Sequence, residues 1–154
     1  MELIKEIEFT TPVENMTGEQ VGKIITDGTL KTFVEYMSKN KIPYLHARQV
    51  GIEMNFFVWQ YKDKWKFMVN PQVRALKKDT TILNTVEVSY THRTEKGTPK
   101  LFQTKRAPKI IAVYDDYVSA KKYKRKSLNL KGHIASVFQQ MQDVSEGKNL
   151  SRFL

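Results

Sequence analysis

The stretch Gly132-His133-Ile134-Ala135-Ser136-Val137-Phe138-Gln139-Gln140-Met141-Gln142-Asp143-Val144 constrains this chain more than any other segment. Its Ile134, Val137, Phe138, Met141 and Val144 recur at helical spacing, so a helix formed here carries one apolar stripe that has to be covered. A second stripe, Leu30, Phe33, Val34 and Met37, follows the start signal Asp27-Gly28-Thr29. Lys41-Ile42-Pro43 stops it, since proline disfavours a helical residue before it. A loop or a short strand is expected next.

The cover for these stripes is written between them. Residues 55–60 and 64–71 are rich in aromatic and β-branched side chains and flank a short charged turn holding Asp63, the pattern of a hairpin. Further strands are expected at 81–90, 100–103, 110–114 and 122–130, with a turn over 94–99. A helix, several mostly antiparallel strands and a closing helix make an α+β domain. A chain of 154 residues suffices for one such domain, spanning 1–154, because at this length about 70% of the unfolded surface is buried on folding.

No apolar run approaches the roughly 18 residues of a membrane span, so no membrane partner is expected. The start, Met1-Glu2-Leu3-Ile4-Lys5-Glu6, lacks the apolar core of a signal peptide. With no cysteine the chain has no disulfide framework, which fits the cytosol. Lys and Arg number 26 against 16 Asp and Glu, and this charge of +10 draws the protein toward RNA, DNA or acidic proteins. The densest run, Lys121-Lys122-Tyr123-Lys124-Arg125-Lys126, has two readings. Lys121, Lys122, Lys124, Arg125 and Lys126 form a partner surface, or they are the lysines that keep an edge strand from pairing with another chain.

In register from its glycine to its end, the 132–144 stretch is similar to the last motif of the peptide deformylases, roughly G-x-x-A-x-x-x-Q-H-E-x-D-H. Three earlier blocks resemble the same family in the same order. Leu45-His46-Ala47-Arg48-Gln49-Val50-Gly51-Ile52 is similar to G-x-G-L-A-A-x-Q-V-G, with Ile42 and Tyr44 where the family has glycines, and puts Gln49 on the glutamine that holds the substrate's formyl oxygen. Phe67-Met68-Val69-Asn70-Pro71-Gln72-Val73 looks like L-I-N-P-x-I. Glu87-Val88-Ser89-Tyr90-Thr91 matches E-G-C-L-S, which places Ser89 at the metal-binding cysteine. Arg106 then matches the family's arginine, and Glu87 and Arg106 are expected to form a buried pair. Asp143, Gly147 and the ending 150–154 track the family's D-H-L-x-G and its following short strand. The resemblance implies a peptide-deformylase-like fold, with mostly antiparallel strands around a C-terminal helix in the position of the metal-binding helix. It also implies a phage-encoded member, acting in the host cytoplasm or the virion.

The chemistry of that family needs a divalent metal held by one thiolate and two imidazoles at i and i+4 of a helix, and a glutamate to move the proton. At those positions stand Ser89, Gln140, Val144 and Met141. No metal and no other cofactor is therefore expected, and Gln49 alone keeps its catalytic identity. Met141 and Val144 extend the apolar stripe, which converts a metal cleft into packed core, and Gln49, Gln139 and Gln140 are expected to bond to one another. The only histidines are His46, His92 and His133; isolated polar histidines are the plain expectation, and a metal site built on His46 and His92 is one alternative. A serine nucleophile at Ser89 with His46 or His92 as base is another, without a nucleophile elbow or oxyanion motif behind it.

The leading expectation is thus no enzyme, but a non-catalytic structural or binding module of the deformylase fold, such as a phage virion or assembly component with protein partners. It would have no small-molecule substrate. Trp59, Trp65, Tyr114, Tyr117 and Tyr123 would anchor those partners where exposed, although several of them are expected in the core. The alternative is a phage protein that binds the ribosome or a host factor, drawn to RNA by its charge. A residual hydrolase with a rebuilt site comes last.

Overall fold

The stripe-bearing helices and the strands between them close around two apolar clusters in the computed structural model, which describes residues 1–4, 9–75, 82–119, 121–148 and 150–153. In chain order the elements are α1 (Gly18–Thr26), α2 (Thr29–Lys39), β1 (Tyr44–His46), a 3-10 turn (Ala47–Val50), β2 (Phe56–Tyr61) and β3 (Lys64–Ala75). Then follow β4 (Leu83–Arg93), β5 (Pro99–Arg106), β6 (Lys109–Ser119), β7 (Lys122–Lys131), α3 (His133–Glu146) and a 3-10 turn (Leu150–Phe153). Five strands form one sheet in the order β1-β2-β3-β6-β7, and β4 pairs with β5 in a separate ribbon. Every pairing is antiparallel. The α+β architecture expected from the sequence is the architecture found.

The β2–β3 hairpin turns on Lys62 and Asp63, both with positive φ (52° and 63°), as a two-residue turn matched to strand twist requires. Its register pairs Tyr61 with Lys64 and Phe57 with Met68, which puts Phe57, Trp59 and Met68 on one face. That face meets the α3 stripe: Val137, Phe138, Met141 and Val144 are buried with Phe57, Trp59, Met68, Ile110, Ala112 and Leu130. Phe138 stands edge-on to Phe57 at 5.4 Å between centroids. The opposite face, with Phe56, Val58 and Val69, is covered by Phe33 and Met37 of α2 and by Val21 and Ile24 of α1.

Two features differ from the sequence reading. Helix α1 was not expected, because Val21 and Ile24 are its only buried residues and give too short a stripe; its signal is the capping box of Thr17 and Gln20. Leu150–Phe153 is a 3-10 turn and not a strand, since Arg152 turns inward to Asp143 at 2.8 Å and its guanidinium lies over Phe153 at 4.6 Å. Of the five aromatic side chains named as anchors, Trp59 and Tyr114 are core, in line with the expectation that several would be, Trp65 and Tyr117 are half-buried, and Tyr123 is exposed. The expected strand start at Thr81 and the final Leu154 lie outside the described residues.

Candidate functional site

Strand β4 alternates, and Glu87, Ser89 and Thr91 are the buried members of one face. Its ladder with β5 loses register between Ser89 and Arg93. In an unbroken strand, residues three apart point to opposite sides; a bulge re-aims them. Here the break brings the His92 ring back onto Ser89, with Nδ1 2.6 Å from Oγ, while Thr91 Oγ1 lies 3.4 Å from the same hydroxyl. Phe102 of β5 meets the His92 ring edge-on at 5.2 Å.

Ser89 and His92 line a small cavity with Gln49, Gln140, Asp143 and Val144, bounded outward by Phe9, Lys148 and Leu150. The cavity measures about 20 Å³. That is room for one water, which needs at least about 10–15 Å³. Gln140 Nε2 donates to the Val88 carbonyl at 3.0 Å, and Tyr44 donates its hydroxyl to the same carbonyl at 3.2 Å, so the backbone leading into Ser89 is pinned twice. Burial pushes the Tyr44 phenol up from its ordinary value, which keeps it a donor. Gln140 Oε1 is buried and has no hydrogen-bond partner among the described residues. An orphaned acceptor of this kind marks a place where a water or ligand is wanted.

The glutamines do not bond to one another as expected. Gln49 Oε1 accepts from the His46 backbone N–H at 3.0 Å, closing the 3-10 turn, and Gln139 bonds both backbone groups of Ala107. Each is drawn off by a nearer backbone group. His46 does not line the cavity; its Nδ1 accepts from the Arg48 N–H and its Nε2 therefore donates to Ser145 Oγ at 2.9 Å. Burial, with the Arg48 charge second, holds its pKa down at about 3, so it is neutral. Of the two candidate bases for Ser89, the fold supplies His92. His133, the first residue of α3, is not among the lining residues.

Beneath the cavity, Arg106 grips Glu87 in bidentate fashion at 2.7 and 2.8 Å and reaches Asp143 with its remaining arm. Burial works against its charge, but Glu87 and Asp143 outweigh it and raise its pKa. The expected Glu87–Arg106 pair is present and is the centre of a larger network that includes Thr104, donating to Glu87 at 2.7 Å, and Arg152. From Lys122 onward the basic run lies on β7, an edge of the large sheet, and Lys121 stands in the turn before it. Arg125 is drawn down to Asp115 at 2.8 Å and Lys126 to Asp116 at 2.6 Å, whereas Lys121, Lys122 and Lys124 make no ion pair among the described residues.

The model of the family described as polypeptide deformylase matches residues 8–152. The chain belongs to that family. Among solved structures, peptide deformylase from Thermotoga maritima is 20% identical, with a TM-score of 0.71 over 99% of this chain and 96% of that one. A class I type b deformylase from Acinetobacter baumannii with Met-Ala-Ser bound is 14% identical, with a TM-score of 0.77 over 99% and 97%. A probable peptide deformylase from Synechococcus phage S-SSM7 is 16% identical, with a TM-score of 0.75 over 100% and 99%. No curated protein matches the chain. No helix among the described residues is long and apolar enough to cross a membrane.

These findings overturn the reading of the chain as no enzyme and as a non-catalytic structural or binding module. The family is that of an enzyme, matched over nearly the whole chain, and nothing in the site argues positively for a scaffold. That reading leaned on the motif register alone, which aligns Ser89, Gln140, Met141 and Val144 with the family's ligand and proton-carrier positions. The family's metal is a separate matter, and the residues present do not fit it. Val144 offers no donor atom, the Gln140 amide nitrogen is engaged by Val88, Ser89 is a neutral hydroxyl, and Met141 is buried in the apolar core. Among the described residues no group of three or more His, Cys, Asp or Glu is placed to hold an ion.

Proposed function

We propose that the protein hydrolyses the formyl amide at the amino end of a peptide, the reaction for which its family is named, and does so at the cavity bounded by Gln49, Ser89, His92 and Gln140. One observation carries the reading. Gln49, on the sequence position of the glutamine that holds the formyl oxygen, and Ser89, on the position of the family's ligand cysteine, line the same cavity in a fold matched to deformylases. The size of the cavity supports the substrate class: formyl is the smallest acyl group and asks for the least widening of a space of about 20 Å³.

Formyl-Met-Ala-Ser is the natural test substrate, since an Acinetobacter baumannii deformylase is solved with Met-Ala-Ser bound. Formate release is expected from the formyl peptide and not from its acetyl counterpart. Gln49→Ala, checked for folding by its melting curve, is expected to lose most of that rate. Absence of formate at high enzyme concentration, with the protein folded, would refute the proposal. A phage origin, with action in the host cytoplasm, is part of the same reading and is supported by the likeness to the Synechococcus phage structure.

A further inference from the structure

The family's chemistry runs through a metal, and the residues of this site do not fit one. Resting on the hydrolysis proposed above, we infer that the reaction here uses a covalent route: Ser89 is the nucleophile and His92 its base. The geometry is that of an activated hydroxyl, with imidazole Nδ1 2.6 Å from Oγ, inside the range for proton transfer. The contact exists because β4 breaks register between Ser89 and Arg93, a local irregularity that sets an imidazole on a serine three residues away. The pair is fixed from both sides. Phe102 stands against the His92 ring, and the Val88 carbonyl just before Ser89 is held by Tyr44 and Gln140.

The step balances with the groups on hand. Ser89 Oγ bonds to the formyl carbon as His92 Nδ1 takes the hydroxyl proton, and the carbonyl electrons move onto oxygen. The tetrahedral adduct collapses, the carbon–nitrogen bond breaks, and the imidazolium returns its proton to the departing peptide amine. This leaves a formyl ester on Ser89. A water, deprotonated by His92, then attacks the ester carbon; the carbon–Oγ bond breaks, the imidazolium returns its proton to Ser89 Oγ, and the formyl group leaves as formic acid, which ionises to formate. The Gln49 amide is a side-chain donor at this cavity for the developing oxyanion, and Thr91 and Lys148, which also line it, carry further donors. The buried Gln140 Oε1, without a hydrogen-bond partner among the described residues, is an acceptor able to orient the hydrolytic water once the cavity has widened for the formyl group.

The chain has no cysteine, which makes Ser89→Cys a clean probe: the new thiol is the single alkylation site. With His92 beside it, that thiol is expected to react with iodoacetamide at pH 6.5 at least about tenfold faster than in Ser89→Cys/His92→Gln, because an adjacent imidazole favours the thiolate. Equal rates in a folded pair would overturn the base assignment. In the wild-type protein, formyl-peptide turnover is expected to survive a chelator and to fall by about 10³-fold or more in Ser89→Ala. Turnover that persists in Ser89→Ala overturns this inference and leaves the proposed function standing. If no peptide turnover is found, the proposed function fails, and p-nitrophenyl formate then decides the inference by itself. A formyl adduct on Ser89 in acid-quenched protein supports the nucleophile, and its absence removes it.

Discussion

At the scale of single residues, Arg106 carries the most consequence. Among the described residues it is the cation shared by two buried carboxylates, bidentate to Glu87 and in contact with Asp143, and truncating it strips Glu87 of its counter-charge and leaves Asp143 with Arg152 alone. Arg106→Ala is expected to cost about 3–5 kcal/mol in a denaturant titration, the range for breaking a buried ion pair from one side. An unchanged midpoint would show that the network contributes nothing. Arg106→Lys should not restore it, since an ammonium cannot reproduce the fork. The Glu87 half of this network was legible in the sequence through the spacing of family motifs. The Asp143 and Arg152 half was not, because those residues meet Arg106 only once α3 and the last turn fold back over β5.

At the scale of elements, the closing of α3 depends on a close backbone approach. Gly147 caps the helix at φ 77°, and a Cβ there would come within 2.5 Å of the Thr11 backbone. Arg48 fastens the same junction by donating to the Thr11 carbonyl at 2.7 Å and to the Val144 carbonyl at 2.9 Å. Gly97 has a similar φ of 79° with nothing within 4 Å, so it isolates the conformational cost from the steric one. Gly97→Ala should cost about 1 kcal/mol for the left-handed backbone alone. Gly147→Ala should cost clearly more, about 2–3 kcal/mol, because neither the helix end nor the 11–13 segment can withdraw freely. Thermal melts of the two variants side by side check this, and equal losses would mean that the junction is loose. The β4 bulge belongs to this scale too: no residue in 83–93 announces it, since it is a mismatch between two strands and not a property of one.

For the whole molecule, the buried neutral His46 sets an acid limit. Its folded pKa is about 3, against an ordinary value of 6.5. Below pH 6.5 the unfolded chain takes up a proton that the folded protein refuses, so the stability present above 6.5 is lost as the pH falls toward 3. The slope from this group is at most about 1.4 kcal/mol per pH unit. His46→Gln is expected to be less stable at pH 7 and yet to lose stability less steeply between pH 6.5 and 4. Parallel melting-temperature profiles for the two proteins would place the acid sensitivity elsewhere.

The sequence by itself determined the α+β class, the α2 and α3 stripes, the strands and the order of the family's motifs. These follow from periodicity and local turn chemistry, which act over a few residues. Its motif resemblance aligns Ser89, Gln140, Met141 and Val144 with the positions of the family's ligands and proton carrier, and that alignment did not decide what the site does. Only the tertiary structure chose His92 over His46 as the partner of Ser89, drew the glutamines to separate backbone groups, and turned Trp59 and Tyr114 into core. Those outcomes depend on which groups reach one another first across strands and helices distant in the chain. In a closely packed interior a polar side chain takes the nearest partner that satisfies it.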